Sequence, residues 1–162
     1  MSGSEFAGNI AHTLDAKGRA TIPAAYRKAL GSGFTISINS RCTAAAFYPK
    51  ALWDEMRESF SQIPVTDDDG MGYVFMMQGN AFPDCDIDAQ GRVLIPPTLR
   101  ELVGLTKDVR FVGVGSCLEL WDEAAFTAMQ TELRRNFSRL TGHVNAFLSN
   151  QAENHGAGGG EK

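Results

Sequence analysis

The 162-residue sequence has few cysteines, no long apolar run and no excess of basic residues. Its three cysteines, Cys42, Cys85 and Cys117, are widely separated and odd in number, which favours free thiols in a reducing compartment over a disulfide framework. No run approaches the roughly 18 apolar residues of a membrane span, and the first residues have no cationic and apolar signal region. We therefore expect a soluble, cytoplasmic protein with no membrane partner.

The net charge of −4 argues against a protein that binds nucleic acid over its whole surface. The charges are unevenly distributed along the chain, however. Residues 12–41 carry a net charge of +4, whereas residues 82–110 carry −1. The sequence therefore predicts a local basic patch contributed by the first half of an acidic protein.

Patterns typical of catalytic and metal sites are also missing. The histidines, His12, His143 and His155, and the three cysteines show no ligand spacing for zinc. The glycine pair in 113–115 is not followed by the Lys-Ser or Lys-Thr of a phosphate loop, and no serine, histidine and carboxylate arrangement indicates a nucleophile. We expect a protein that is not an enzyme and has no cofactor, metal or small-molecule substrate.

The sequence does contain an internal repeat. The segment Asp15-Ala16-Lys17-Gly18-Arg19 returns 73 positions later as Asp88-Ala89-Gln90-Gly91-Arg92. Aligned at this offset, residues 15–27 and 88–100 are identical at seven of thirteen positions, and the apolar pattern beyond them stays in register. One structural unit is therefore predicted twice in the chain.

Each copy of the motif is predicted to form the turn of a β-hairpin. Aspartate at the first position can accept hydrogen bonds from the backbone ahead of it, and glycine at the fourth can adopt a positive φ. The Ile-Pro pair that follows ends the return strand, because proline cannot donate to a sheet but fits the first turn of a helix. In the first copy this predicts a strand around 10–14 and a short helix from Pro23 to Leu30.

The repeat and the apolar patterns predict an α+β fold class and five segments. They are a first repeat at 9–52, a helical connector at 53–81, a second repeat at 82–125, a C-terminal helix at 126–141 and a disordered tail at 142–162. Within the connector, Trp53, Met56 and Phe60 share one helix face, and a second helix is predicted from Tyr73 to Gln78. The tail is rich in Asn, Ser, Gln and Gly, which offer too little apolar surface to offset the entropy of ordering.

The order of strand, Asp-x-x-Gly-Arg turn, strand ending in Ile-Pro, and short helix resembles the AbrB-type swapped-hairpin unit of bacterial transition-state regulators and antitoxins. Two such units in one chain, with Phe6-x-Gly8 ahead of Leu14-Asp15-x-Lys17-Gly18-Arg19, resemble the MraZ family of regulators encoded at the head of the division and cell-wall gene cluster. The resemblance covers Phe6 to Leu140. It implies that two tandem, interlocked repeats form one pseudo-two-fold β-barrel with peripheral helices.

The resemblance also implies a function. It is that of a sequence-specific repressor of its own operon, nucleoid-associated, that binds short direct repeats of double-stranded DNA as a homo-oligomeric ring. The DNA-binding positions that it assigns are Lys17 and Arg19, with Asp15 holding the turn and Arg92 in the equivalent place of the second copy. Because Gln90 replaces the lysine there and aspartates surround it, we expect the first hairpin to read DNA and the second mainly to complete the fold.

The residue chemistry agrees with DNA binding by the first hairpin. A two-stranded ribbon fits the major groove, and arginine can donate two hydrogen bonds to guanine while lysine acts as a point charge on phosphate. On the short helix, Arg27 and Lys28 are expected to add phosphate contacts. The alternative is an antitoxin-like protein-interaction module of the AbrB fold, in which the barrel and the helix at 121–140 bind another protein.

Overall fold

The computed structural model describes residues 5–156, and these residues form an α+β structure, as predicted. The strands are β1 (Asn9–Thr13), β2 (Arg19–Thr21), β3 (Phe34–Ile38), β4 (Ala45–Tyr48), β5 (Phe82–Cys85), β6 (Arg92–Leu94), β7 (Asp108–Gly113) and β8 (Leu118–Asp122). The helices are α1 (Ala24–Leu30), α2 (Lys50–Ser61), α3 (Asp68–Gly79), α4 (Pro97–Leu102), α5 (Glu123–Arg135) and α6 (Phe137–Gly156).

Strands from the two repeats pair with each other. A six-stranded sheet has the order β1-β7-β8-β4-β3-β5, and β2 and β6 form a separate two-stranded ribbon. The pairings of β1 with β7, β4 with β8, β3 with β5, and β2 with β6 each join one strand from each half of the chain, all antiparallel. Only β3 with β4 and β7 with β8 pair within one repeat. Neither repeat therefore completes the six-stranded sheet or the ribbon alone.

The core is likewise shared between the halves. Phe34 and Phe47 come from the first half and Phe111 from the second, and all three side chains are fully buried. The ring centroid of Phe47 lies 6.1 Å from that of Phe34 and 6.2 Å from that of Phe111, within the range of favourable aromatic pairs. Removing Phe47 would thus leave a cavity at the junction of both repeats.

Both short helices begin as the Ile-Pro pairs predict. Helix α1 follows Pro23 at φ −54°, and α4 follows Pro96 at φ −54°, so the fixed φ of proline leads directly into each helix. The predicted inner face of α2 is confirmed for its aromatic residues, since Trp53 and Phe60 are buried.

Helix α3 is longer than the predicted Tyr73–Gln78 and begins at Asp68. Asp67 caps it, because its side-chain Oδ1 accepts a hydrogen bond of 3.0 Å from the backbone N–H of Gly70. This cap satisfies one of the backbone donors that the start of a helix leaves without an intrahelical partner.

The C-terminal region differs from the prediction of one helix at 126–141 and a disordered tail from 142. Helix α5 ends at Arg135, and α6 runs from Phe137 to Gly156. The missed signal is the spacing of Leu140, Val144, Phe147 and Leu148, which recurs at the helical period within an otherwise polar and glycine-containing stretch. The rest of the predicted tail, 157–162, lies outside the described residues.

Candidate nucleic-acid interface

The first Asp-x-x-Gly-Arg motif forms a closed turn between β1 and β2. Asp15 Oδ1 accepts hydrogen bonds of 2.9 Å from the backbone N–H groups of Lys17 and Arg19, and Oδ2 accepts one of 2.7 Å from Arg19 Nε. Gly18 adopts φ +81°, a conformation that glycine reaches without steric penalty, and its N–H donates to the Asp15 carbonyl at 3.0 Å. The turn therefore orients Arg19 through the backbone and the side chain together.

The second motif repeats this geometry. Asp88 Oδ1 accepts from the backbone N–H groups of Gln90 at 2.9 Å and Arg92 at 2.8 Å, and its Oδ2 accepts from Arg92 Nε at 3.1 Å. Gly91 adopts φ +80°. The two motifs, which differ in sequence only at Lys17 and Gln90, thus share one turn structure, and the predicted role of Asp15 in shaping its turn applies equally to Asp88.

These hydrogen bonds lower the pKa of both aspartates. For Asp15 the largest cause is the hydrogen bond from the backbone N–H of Arg19, and the Arg19 side chain and charge act in the same direction. For Asp88 the backbone N–H of Arg92 is the largest cause. A carboxylate with a lowered pKa stabilises the fold above its unfolded-state pKa, and this contribution is lost as pH falls through the folded-state pKa.

An acid titration tests this account of the turn. By carboxyl-carbon NMR, both Asp15 and Asp88 should titrate below the ordinary aspartate pKa of about 3.9. Because the main cause at Asp15 is a backbone donor, Arg19→Ala should raise its pKa only part of the way, and Arg92→Ala should leave it unchanged. Full return of the Asp15 pKa to the ordinary value in Arg19→Ala would instead assign the shift to the side-chain ion pair.

Pairing of β2 with β6 brings the two motif arginines onto one surface. The register pairs Arg19 with Leu94, Ala20 with Val93, and Thr21 with Arg92. Side chains alternate along a strand, and the middle pair faces inward, with Ala20 fully buried and Val93 6% exposed. The side chains of Arg19, Thr21, Arg92 and Leu94 form what we call the outer face of the ribbon. Arg19 and Arg92 lie near opposite ends of this face. The prediction of two separate hairpins is wrong, because β1 pairs with β7, β5 pairs with β3, and β2 and β6 pair with each other. Neither motif turn joins two strands that pair with one another.

The donors on this face are only partly used. Arg19 and Arg92 keep 30% of their side-chain surface exposed, and among residues 5–156 each guanidinium binds an aspartate through Nε alone. Their terminal nitrogens have no partner within that range. Lys17 is exposed, and its ammonium likewise contacts no acceptor among the described residues. Both kinds of group are therefore open to an anionic or acceptor-rich ligand.

The charges counted along the chain are redistributed by the fold. Helix α1 carries Arg27 and Lys28, yet the Arg27 guanidinium lies against Gly91 of the second turn. The first turn is approached instead by Arg100 of α4, and the backbone carbonyl of Lys107 accepts a hydrogen bond of 2.9 Å from Leu14 N–H beside it. The +4 segment therefore does not form a single patch around the first turn.

A shallow, open depression beside the first turn contains cations from the second repeat. Its lining residues are Leu14, Asp15, Ala16, Arg100, Leu105, Thr106 and Lys107.

No group of three or more His, Cys, Asp or Glu side chains within residues 5–156 is placed to hold a metal ion. None of the helices in this range is both long and apolar enough to cross a bilayer.

Comparison with known proteins agrees with the repeated motif. A family model described as "MraZ protein, putative antitoxin-like" matches residues 6–72 and 77–148. The protein from Natranaerobius thermophilus named transcriptional regulator MraZ is 31% identical over 143 residues, 88% of this chain and 98% of the relative. Its namesake from Lactiplantibacillus plantarum is 35% identical over 143 residues, covering 88% and 99%. With this coverage of both repeats, the family resemblance of the motifs is confirmed, and the chain belongs to the MraZ family.

Proposed function

We propose that this protein is a sequence-specific DNA-binding transcriptional regulator that represses its own operon in the division and cell-wall gene cluster. The names of its relatives support the regulatory class. The observation that carries the proposal is the outer face of the ribbon, where two arginines held by aspartates present unused donors. Such a protein acts in the cytoplasm, in association with the nucleoid.

Arg19 is the proposed base-reading residue. Its Nε and backbone N–H are held by Asp15, so the planar guanidinium is oriented before DNA arrives and loses little freedom on binding. The two terminal nitrogens can donate to O6 and N7 of guanine in the major groove, the commonest specific contact of arginine with a base. Lys17, at the tip of the turn, supplies a charge to the phosphate backbone or a base.

The second turn is proposed to contribute less to DNA binding. Gln90 lacks the charge of Lys17, and the residue equivalent to Lys107 at the offset of 73 is Phe34. Asp86 also lies on this side, where its Oδ1 accepts a hydrogen bond of 3.0 Å from Gly33 N–H. We therefore assign Arg92 a secondary contact at the end of the same ribbon. Lys28 remains a proposed phosphate contact, with its equivalent in α4 being Glu101.

Useful affinity requires several chains acting together. One arginine contact to guanine contributes only about 1–3 kcal/mol. We propose that copies of the chain assemble into a ring, so that each bound turn raises the effective concentration of the next at an adjacent direct repeat. We also propose that the six-stranded sheet and the ribbon are parts of one AbrB-type swapped-hairpin barrel, a rigid scaffold for presenting the turn.

The C-terminal helices support assembly with another polypeptide. In α6 the side chains of Phe137, Phe147 and Leu148 are 66%, 57% and 58% exposed, more apolar surface than a helix of an isolated protein usually leaves to water. In the proposed ring, further copies of this chain cover the exposed apolar surface of α6. An antitoxin-like function, with a different protein on this surface, is the second candidate, and it would require no preference for upstream DNA.

A binding titration across a salt series tests the proposed function. The protein should prefer its own upstream DNA over a scrambled sequence by about 10³-fold or more at physiological salt. If six to ten phosphates are neutralised together, affinity should fall by about 10³ to 10⁵ between 50 and 200 mM salt. Inserting about five base pairs, half a helical turn, between adjacent repeats should weaken binding, because the turns of neighbouring chains would then meet opposite faces of the DNA. Equal binding to scrambled DNA would overturn the proposal.

A further inference from the structure

We infer that Arg100 and Arg27 are positioning residues that brace the turns crosswise. Arg100, on α4 of the second repeat, holds the first turn, and Arg27, on α1 of the first repeat, holds the second turn. The predicted role of Arg27 as a phosphate contact is replaced by this one. The consequence for DNA binding rests on the proposed function, whereas the brace itself is a property of the free protein.

The brace on the first turn is built around Gly18. A Cβ added to Gly18 would lie 2.7 Å from Nε and 2.8 Å from Nη1 of Arg100, so the guanidinium occupies the space that a side chain would need. The Nε of Arg100 donates to the Ile95 carbonyl at 3.1 Å, and the Ile95 N–H donates to the Gly18 carbonyl at 3.0 Å. Arg100 is therefore held by Ile95, the residue after β6, and the backbone of Ile95 is in turn hydrogen-bonded to the first turn.

The brace on the second turn has the same construction. A Cβ added to Gly91 would lie 2.6 Å from Cζ of Arg27. The Nε of Arg27 donates to the Ile22 carbonyl at 2.7 Å, and the Ile22 N–H donates to the Gly91 carbonyl at 2.8 Å. Each participating residue in one brace is related to its counterpart in the other by the offset of 73.

This arrangement gives the motif glycines a second requirement beyond their positive φ. Gly18 and Gly91 must also leave room for an arginine from the other repeat, which contributes a bulky, planar and always charged group. The conformation of the DNA-reading turn is thereby made dependent on a helix more than seventy residues away in sequence. A direct phosphate contact would need only the charge of Arg27 or Arg100, whereas the brace needs the guanidinium shape and its Nε donor.

Hydrogen exchange of the DNA-free protein tests the brace. Arg100→Ala should accelerate amide exchange in the first turn, residues 15–19, by about tenfold, since the guanidinium packed against Gly18 and its hydrogen bond to the Ile95 carbonyl are both lost, and should leave residues 88–92 unchanged. Arg27→Ala, the matched control, should show the opposite pattern. Acceleration in the turn of the same repeat, in both turns equally, or in neither would overturn the inference.

Conservative variants separate bracing from charge and guard against misfolding. Arg100→Lys and Arg27→Lys keep the charge but lose the planar group and its Nε donor, so they should accelerate exchange in the same crossed pattern as the alanine variants. If an alanine variant fails to fold, the lysine variant carries the comparison. If the lysine variants instead exchange at the rate of the unchanged protein, charge alone suffices and the brace is overturned.

DNA titrations then connect the brace to function. Arg100→Ala and Arg100→Lys should both lower preference for upstream DNA about tenfold without changing the salt slope, whereas loss of a phosphate contact would reduce that slope by about 1. Arg27→Ala should have a smaller effect. A reduced slope, with affinity rescued by lysine, would overturn the positioning role. If hydrogen exchange shows the crossed pattern but the unchanged protein shows no preference for upstream DNA, the brace is supported and the proposed function is overturned.

Discussion

Arg19→Ala is expected to weaken binding to upstream DNA by about 5- to 150-fold for every first turn engaged, because each bidentate contact to guanine is worth about 1–3 kcal/mol. With two or more chains bound to adjacent repeats the losses multiply, and sequence preference should disappear at physiological salt. Binding to scrambled DNA should change much less, since phosphate contacts supply most non-specific affinity. Competition titrations against scrambled DNA measure both quantities.

Two variants control for the loss of charge. Arg92→Ala removes the equivalent arginine of the second motif from the same outer face and should cost less than Arg19→Ala. Arg41→Ala removes an exposed cation from the β3–β4 loop and should affect both DNAs slightly and equally. Equal losses for Arg19→Ala and Arg92→Ala would contradict the proposed asymmetry and make the ribbon a symmetric reading surface.

Phe47→Ala is expected to produce the largest loss of stability, about 3–5 kcal/mol in the free energy of unfolding. The ring is fully buried between Phe34 and Phe111, so its removal leaves a cavity bordered by both repeats. Because β1, β3 and β4 of the first half pair with β7, β5 and β8 of the second, the sheets should lose their structure in one transition.

Urea unfolding followed by both tryptophan fluorescence and far-ultraviolet circular dichroism measures this effect. Phe47→Leu retains most of the volume and should lose much less stability. Phe137→Ala, which truncates a side chain 66% exposed in α6, should leave the transition of the sheets almost unchanged. Two separate unfolding transitions for the sheets in Phe47→Ala would mean that the repeats fold independently. That result would contradict a core shared by both repeats.

The turns themselves could be predicted because their causes are local. Asp15 and Gly18 lie within five residues of Arg19, and the hydrogen bonds and positive φ of the turn follow from residue chemistry at fixed spacing. The Ile-Pro pairs likewise set the starts of α1 and α4 through the restricted φ of proline. Each of these features can be predicted from neighbouring residues of the chain, whereas the packing of Arg100 against Gly18 cannot.

The crossed arrangement could not be predicted because it depends on pairing between distant strands. Placing Arg19 and Arg92 on one face requires the register of β2 with β6, and placing Arg27 against Gly91 requires the fold to carry α1 to the other repeat. The cations that give residues 12–41 their net charge of +4 are neighbours in sequence, but the fold does not keep them together in space. In α6 the reason is different, since polar composition obscured a helical spacing of apolar residues that was present in the sequence.

Guanine reading by Arg19 can be measured with a double-mutant cycle between Arg19→Ala and DNA in which the guanines of one repeat are replaced by 7-deazaguanine. This base lacks the N7 acceptor but still pairs with cytosine. The replacement should weaken binding of the unchanged protein by about fivefold or more and should barely affect Arg19→Ala, in which the contact is already lost. Equal weakening of both proteins would contradict guanine reading by Arg19.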